Sequence, residues 1–452
     1  MKVHFIAMGG AVMHNLALSL RKNGYKVSGS DDEIFEPAYT NLKNANLLPE
    51  RMGWFAEKIT SDIDAVILGM HARADNPELI KAKELGLKIY SFPAYVYEQT
   101  KYKNRVVVGG SHGKTSVTSM IMHVFNYVKK PFDYLVGSKI DGFELMVSFT
   151  SKTDVAVIEG DEYLSSALER FPKFHTYKPH VAVLTGIAWD HINVFPTFEN
   201  YVEQFGIFIN TIEPKGTLIY SEDDAELKKL VTKARKDIQL IPYKAVPYVI
   251  ENEKTYLLYN NNKYSLSIFG NHNMMNLHAA WHVCKKVGIS DNDFIKAIQH
   301  FKGAAKRLEL VAENDKTAIY KDFAHSPSKL KATVNAVKEM YPKRKVVACM
   351  ELHTFSSLNK NFLSEYEHSM DKADIPVVFY NDHTIEMKKL EAITMKEVKD
   401  AFNNEKLLVV NSKNTLTEFL YNQNYSNAIL LMMSSGNFEG LDWNLLKEKV
   451  FS

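Results

Sequence analysis

Along residues 1 to 102, short apolar runs alternate with amphipathic stretches. Val3-His4-Phe5-Ile6-Ala7, Lys26-Val27-Ser28-Gly29 and Ala65-Val66-Ile67-Leu68-Gly69 read as strands, and Asn15 to Lys22 carries its apolar residues at helical spacing. This alternation predicts a βαβ domain with a parallel sheet. A polar patch at Lys101 to Arg105 separates it from Val106-Val107-Val108, a buried-strand pattern that runs into glycines and then an apolar helical stretch, Val117 to Val128. A second domain is expected to begin there. Its further strands are Val155 to Ile158, Val181 to Leu184 and Thr217 to Tyr220, and a helix over Asn276 to Val287 follows the turn Gly270-Asn271-His272-Asn273. Beyond Phe301-Lys302-Gly303, strand-like runs at Thr317 to Tyr320, Lys345 to Met350, Pro376 to Tyr380, Leu407 to Val410 and Ala428 to Met433 alternate with helical stretches and predict a third α/β domain. The domain limits read in this way are 1–102, 103–302 and 303–452.

Composition is compatible with that division, since 452 residues with 46% hydrophobic and 24% charged side chains can build several compact cores. A net charge of +2 without a long basic run gives no electrostatic case for nucleic acid as the partner and leaves small anionic ligands open. The two cysteines, Cys284 and Cys349, are far apart and each lies in an apolar stretch, which reads as two buried thiols rather than a disulfide or metal framework. Met1 to Gly10 lacks the charged start and small-residue cleavage site of a signal peptide, and no apolar run approaches the ~20 residues that span a bilayer. The expectation is a cytoplasmic protein that does not engage a membrane.

The strongest local chemistry is Val106-Val107-Val108-Gly109-Gly110-Ser111-His112-Gly113-Lys114-Thr115-Ser116. Glycines let backbone N–H groups wrap phosphate oxygens where a helix begins, Lys114 brings a positive charge to the transferring phosphate, and Thr115 places a hydroxyl on Mg²⁺. Three residues separate Gly109 from Gly113, where the general phosphate-loop pattern has four, so the generic match is imperfect.

The shortened loop resembles the G-T-x-G-K-T signature of the Mur ligases, here Gly110 to Thr115 with Ser111 in place of the family's threonine. Other motifs follow in family order. Ile158-Glu159-Gly160-Asp161-Glu162-Tyr163 ends a strand with carboxylates, Asp190-His191 follows the next strand, and Gly270-Asn271-His272-Asn273-Met274-Met275-Asn276 is similar to G-x-H-N-x-x-N. Lys306-Arg307-Leu308-Glu309 resembles R-R-L-E, and Asp322-Phe323-Ala324-His325-Ser326-Pro327 resembles D-Y-x-H-H-P. The resemblance implies an α/β protein of three domains: an N-terminal Rossmann-like UDP-binding domain, a central P-loop ATPase-type domain and a C-terminal Rossmann-like domain. It implies ATP and Mg²⁺, a carboxylate activated as an acyl phosphate and then captured by an amine, with UDP-N-acetylmuramate as donor. Within the family, Val157 to Tyr163 with Lys173-Phe174-His175-Thr176-Tyr177, Asp190 to Phe195 and Met433 to Phe438 look most like the murein-recycling branch, whose acceptor is L-alanyl-γ-D-glutamyl-meso-diaminopimelate. The branch that adds L-alanine is the alternative, and a nicotinamide-dependent dehydrogenase is a distant one.

Carried over residue by residue, the resemblance makes Lys114, Glu159 and His191 catalytic, with Thr115, Glu159, Glu162 and His191 toward the metal. Glu159 is the first carboxylate candidate, which Glu162 replaces or assists. Gly110, Ser111, His112, Gly113, Lys114, Thr115 and Ser116, with His272, Asn273, Asn276, Arg307 and Asp322, are the expected ATP contacts; Asn273 and Asn276 lie a helical turn apart and are the candidates for adenine, and Asp322 for the ribose. The turn Gly9-Gly10-Ala11-Val12-Met13 would hold the UDP pyrophosphate, with Ser30 and Asp31 near ribose or uracil and His71, Arg73 and Asn76 toward the sugar. Ala7 stands where a dinucleotide fingerprint prefers glycine, which weakens the dehydrogenase alternative. No lysine occurs between His191 and Lys215, so the carbamoylated lysine of several family members is not expected. Closure of the domains on either side of Gly303 is expected to complete the site. His325 is the candidate acceptor contact, while Glu351 to Asn359 departs from the family's arginine-bearing versions and leaves the amine open. A monomer or homodimer is expected.

Overall fold

The computed structural model describes residues 1–305 and 307–452; the Lys306 of the R-R-L-E-like motif lies outside the described residues. The chain divides into two compact units. The first comprises residues 1–187, 198–244 and 279–297, and the second 188–197, 245–278 and 298–452.

In the first unit the N-terminal sheet has four parallel strands in the order Lys26–Ser30, Lys2–Ile6, Ala65–Leu68, Ile89–Ser91. Every residue of Ala65–Leu68 is buried, as expected of a parallel strand covered on both faces. The helix Ala11–Lys22 packs Leu16, Ala17 and Leu20 inward and ends on Arg21 and Lys22, where cations favour the helix dipole. The helix Pro77–Glu84 opens with proline in its first turn, and Asn76 caps it by accepting from the N–H of Glu78 and Leu79. Asn76, expected toward the UDP-sugar, is therefore a helix cap.

The central sheet has seven strands, in the order Gln239–Tyr243, Thr217–Ser221, Val181–Leu184, Asn104–Gly109, Val155–Glu159, Asp133–Leu135, Val147–Ser148. Only the last pairing is antiparallel. Val106, Val107 and Val108 sit at its centre with no exposure. The glycine turn consequently leaves the carboxyl end of an interior strand, where open α/β sheets place their ligands. The helix Ala11–Lys22 and its C-cap Asn23 meet this sheet through polar residues four apart. Asn15 accepts the N–H of Met146 at 2.9 Å, Ser19 that of Phe149 at 3.4 Å, and the Asn23 amide donates to the Phe149 carbonyl at 2.5 Å.

The second unit holds a six-stranded sheet, ordered Glu309–Glu313, Ala318–Asp322, Ala428–Met433, Lys345–Glu351, Ile375–Phe379, Leu408–Val410, in which only the first strand is antiparallel. The pattern reading had found the five parallel strands and missed this edge. It also missed a three-stranded antiparallel sheet, Tyr248–Glu251, Lys254–Tyr259 and Asn262–Leu266. The compact units do not divide at Gly303. Residues on the N-terminal side of that point pack with the C-terminal elements, Glu253 through a two-pronged ion pair to Arg344 at 3.0 and 2.5 Å and Trp189 edge-on against Phe362 at 5.9 Å.

Arg105 pins the segment that joins the first two sheets. Its side chain is 1% exposed and donates to the carbonyls of Thr100, Lys101, Lys103, Tyr177 and Lys178 and to the Glu213 carboxylate at 2.8 Å. Truncation leaves several buried carbonyls without a donor, each costing on the order of 1–3 kcal/mol. Arg105→Ala is expected to lower unfolding stability by at least about 3 kcal/mol, read from the urea midpoint; a midpoint within experimental error of wild type refutes the pinning role.

Candidate active site

The phosphate loop is built by backbone geometry first. Gly113 takes φ 75°, a left-handed conformation that lets the chain turn into the helix Lys114–Tyr127, whose first N–H groups face the loop. The Ser111 N–H donates to the Gly186 carbonyl at 3.0 Å, and the Thr185 hydroxyl donates to the His112 carbonyl. Gly186, at φ 149°, lies so close to the His112 ring that a Cβ there would stand 2.7 Å from its Cε1. The turn after Val181–Leu184 thus holds the loop from the side, and the Ile187 N–H is in turn bound by Asp224 at 2.7 Å.

Charged groups converge on the start of the helix. The Thr115 hydroxyl donates to Glu159 Oε1 at 2.9 Å, while Glu159 Oε2 accepts the Gly137 N–H at 3.0 Å. Lys114 Nζ donates to Glu162 Oε2 and to the Gly110 carbonyl, both at 2.6 Å. Lys173 meets Asp161 at 2.5 Å. Burial disfavours the charge on Lys114, but Glu162, Asp161 and Glu159 outweigh it and hold its pKa above the ordinary lysine value. Burial likewise opposes ionised Asp161, and Lys173 and Lys114 overcome it.

Two carboxylates were expected near the metal, and the structure separates their surroundings: Glu159 stands with Thr115, Glu162 with Lys114. Among the described residues no three His, Cys, Asp or Glu side chains form a ready metal cage. The Thr115–Glu159 oxygen pair fits Mg²⁺, which binds through one or two carboxylates together with substrate phosphates and water. Ser116 follows in the first helical turn, its carbonyl accepting from Ser119.

His191, with the remaining ATP candidates, falls in the second unit. It takes φ 55°, and its N–H donates to Asp190 Oδ1 at 2.7 Å. Asp190 Oδ2 lies 3.7 Å from Lys329 Nζ and 3.9 Å from His325 Nε2. Burial alone would raise Asp190, yet Lys329, His191 and His325 hold it down at about 2. Asp322 accepts the N–H groups of Leu308 at 2.5 Å and Ala324 at 2.6 Å, so the expected ribose carboxylate is largely engaged by backbone; burial raises it to about 6 against the pull of Arg307. Arg307 lies over the Phe323 ring at 4.7 Å. His272, Asn273 and Asn276 lie inside the helix Asn271–Lys286, which starts earlier than the pattern predicted, and the Asn273 amide donates to the Phe269 carbonyl at 2.9 Å.

In the N-terminal domain Gly10 caps the helix Ala11–Lys22, placing Ala11, Val12 and Met13 in its first turn. The Gly9 N–H donates to Asp31 Oδ2 at 2.6 Å, and Lys58 Nζ reaches Ser30 Oγ at 2.9 Å. Burial raises Asp31 to about 6. His71 and Arg73 are exposed in the turn after Ala65–Leu68. At the C-terminal sheet, Glu351 is buried and bound by the Ser434 hydroxyl and by the Phe438 N–H at 2.9 Å, with His353 Nδ1 3.8 Å away.

Sequence reasoning assigned no site role to Lys58, Lys173, Asp224 and Lys329. Asp224 carried a readable signal, an aspartate heading the helix Ala225–Val231. The others depend on partners remote in sequence.

Three family models match the chain: "Mur ligase family, catalytic domain" over residues 2–103, "Mur ligase middle domain" over 108–284 and "Mur ligase, glutamate ligase domain" over 306–436. A UDP-N-acetylmuramate–L-alanine ligase of Caldicellulosiruptor bescii is 31% identical over 390 residues, 83% of this chain and 83% of its own. Among solved structures, a murein peptide ligase from Psychrobacter arcticus has a TM-score of 0.64 at 22% identity, covering 100% of this chain and 99% of that one. The UDP-N-acetylmuramate-alanine ligase from Thermotoga maritima has a TM-score of 0.68 at 19% identity, covering 100% and 98%. At these identities the two structures establish the fold.

Burial lowers His272 to about 4 and His325 to about 3, so both rings are neutral at pH 7 and stay neutral as the pH falls to 5. An unfolded chain protonates its histidines near 6.5, so these two rings make the fold less stable as pH drops from about 6.5 toward their folded values. Asp322, raised to about 6, binds its proton earlier in the folded state and offsets part of that loss between about 6 and 3.8. Histidine side-chain NMR titration is expected to give both midpoints below about 5; a midpoint near 6.5 for either ring overturns its buried, neutral assignment.

Proposed function

The chain belongs to the Mur ligase family, and from that premise we propose an ATP-dependent ligase that joins the carboxylate of UDP-N-acetylmuramate to the amine of an L-alanyl group. The observation that carries the reading is the pair of contacts at one helix start, Lys114 with Glu162 at 2.6 Å and Thr115 with Glu159 at 2.9 Å. Together they offer a cation for the transferring phosphate and an oxygen pair for Mg²⁺.

A carboxylate does not accept an amine unaided, because oxide would have to leave. A donor carboxylate oxygen attacks the γ-phosphorus of ATP, the bond to the β–γ bridging oxygen breaks, and ADP departs. The acceptor nitrogen then attacks the acyl carbon, phosphate leaves with the former carboxylate oxygen, and the amine gives up a proton. The first step brings two anions together, so it needs fixed positive charge. Lys114 supplies that charge at the loop. Mg²⁺, when bound, offsets charge on the phosphate oxygens, and Glu159, Thr115 and His191 are its proposed protein contacts. Asp31, Ser30 and the Gly9–Met13 turn are assigned to the UDP moiety, Asn273, Asn276, Arg307 and Asp322 to the nucleoside and phosphates of ATP, and His325 to the acceptor. A cytoplasmic location suits substrates of this kind.

For the acceptor, L-alanine is the first reading, supported by the relative with 31% identity. A peptide headed by L-alanine, such as L-alanyl-γ-D-glutamyl-meso-diaminopimelate, is the second. It is favoured by the stretch Glu351-Leu352-His353-Thr354-Phe355-Ser356-Ser357-Leu358-Asn359, which holds no arginine or lysine for a free α-carboxylate.

Phosphate release with ATP, Mg²⁺ and UDP-N-acetylmuramate, offering L-alanine and the tripeptide separately with mass detection of the product, decides the acceptor. Lys114→Ala is expected to lower turnover by at least about 100-fold with either amine; full ligation by that variant refutes the assigned site.

A further inference from the structure

Tyr201 lies on the helix Phe198–Asn210, remote in sequence from the phosphate loop, and nothing above gives it a role. Its side chain is wholly buried, packed edge-on against Phe205 with ring centroids 5.2 Å apart. Phenylalanine would fill that space equally well. The hydroxyl is directed instead at the loop, 2.9 Å from Ser111 Oγ and, at a longer 3.4 Å, from Glu162 Oε1. An ionised carboxylate only accepts, so the single phenol proton is directed to Glu162 and the Ser111 hydroxyl donates to the phenol oxygen. Glu162, itself 1% exposed, holds Lys114 through its other oxygen. The contacts therefore run from Ser111 through Tyr201 and Glu162 to Lys114.

We propose that Tyr201 is a positioning residue for the phosphate site, fixing the Glu162 carboxylate that holds the Lys114 ammonium and tying it to Ser111 of the loop. The inference rests on the reading of Lys114 as the lysine that meets the phosphates of ATP. A buried hydroxyl is costly unless bonded, and this one joins two groups that approach the lysine from opposite sides in sequence. Losing it leaves the packing intact and loosens the lysine.

Calorimetric binding of Mg–ATP to the full chain tests this with Tyr201→Phe, Ser111→Ala and the double variant. Tyr201→Phe is expected to melt with the wild type and to bind Mg–ATP about tenfold more weakly, with the KM for UDP-N-acetylmuramate unchanged. Because either substitution breaks the Ser111–Tyr201 hydrogen bond, the loss in the double variant is expected to be smaller than the sum of the two single losses. Unchanged Mg–ATP affinity in Tyr201→Phe, or losses that add in full, overturns the proposal. Should Tyr201→Phe fail to fold, Ser111→Ala breaks the same bond from the loop side, and wild-type affinity in that variant overturns it equally. Wild-type protein that does not bind Mg–ATP at all refutes the phosphate-site reading itself, an outcome visible before any substitution is made.

Discussion

A lysine at the start of a helix is electrostatically misplaced, since the helix dipole already puts positive partial charge there. Lys114 stands at that point beneath a glycine turn, half-buried, and three acidic side chains keep it charged. Glu162 binds it directly, Asp161 lies close enough to act through space, and Glu159 adds to both while holding Thr115. Lys173 then offsets Asp161. Among these side chains three carboxylates face two ammonium groups, an excess of one acidic group beside the loop. Under the proposed function that balance suits a nucleotide arriving with Mg²⁺, and Glu159, through its contact with Thr115, is the carboxylate proposed to share that ion.

Such a cluster must be held rigidly, because an ångström of drift changes which oxygen the ammonium meets. Rigidity comes from the central strand Asn104–Gly109, flanked on both sides by parallel partners, and from the turn at Thr185 and Gly186 that grips the loop backbone. At the second residue of that strand, Arg105 gathers carbonyls from the preceding linker and from the segment around Tyr177, so the strand enters the sheet at a fixed point. The helix that begins at the expected UDP turn is fixed by a different device, a row of Asn15, Ser19 and Asn23 against the backbone of Met146 and Phe149. A polar stripe on that helix reads in sequence as a solvent face, and here it is a seam.

What sequence alone reveals follows the distance over which each feature is encoded. Gly110 to Thr115 and Glu159 are legible because a buried strand, a glycine turn and a helix start are written in consecutive residues. Most parallel strands of the three large sheets are legible for the same reason, as short apolar runs, while the three-residue strands Ile89–Ser91 and Asp133–Leu135 are too short to stand out. Nor is the strand Gln239–Tyr243 legible, since it lies at a sheet edge with mostly exposed side chains. The small antiparallel sheet is missed because its strands carry lysine, asparagine and glutamate among their aromatics. Roles that depend on a distant partner are also hidden. Glu162 binds Lys114 from 48 residues away and Asp322 accepts the Leu308 N–H from 14 residues away, contacts that no local pattern spells out.

The same logic bears on the amine. Where a free amino acid is bound, its α-carboxylate sits next to the reacting nitrogen and calls for a nearby cation; in a peptide that position is an uncharged amide. From Glu351, which ends the strand, to Asn359 the one fully charged side chain is Glu351, and its carboxylate is bound by Ser434 and the Phe438 N–H of its own sheet end. His353 remains at the rim, 40% exposed. A stretch with its only charge already bound can admit an amide more readily than a second carboxylate. Within the proposed function, that local argument favours the peptide reading, while the relative with 31% identity favours L-alanine.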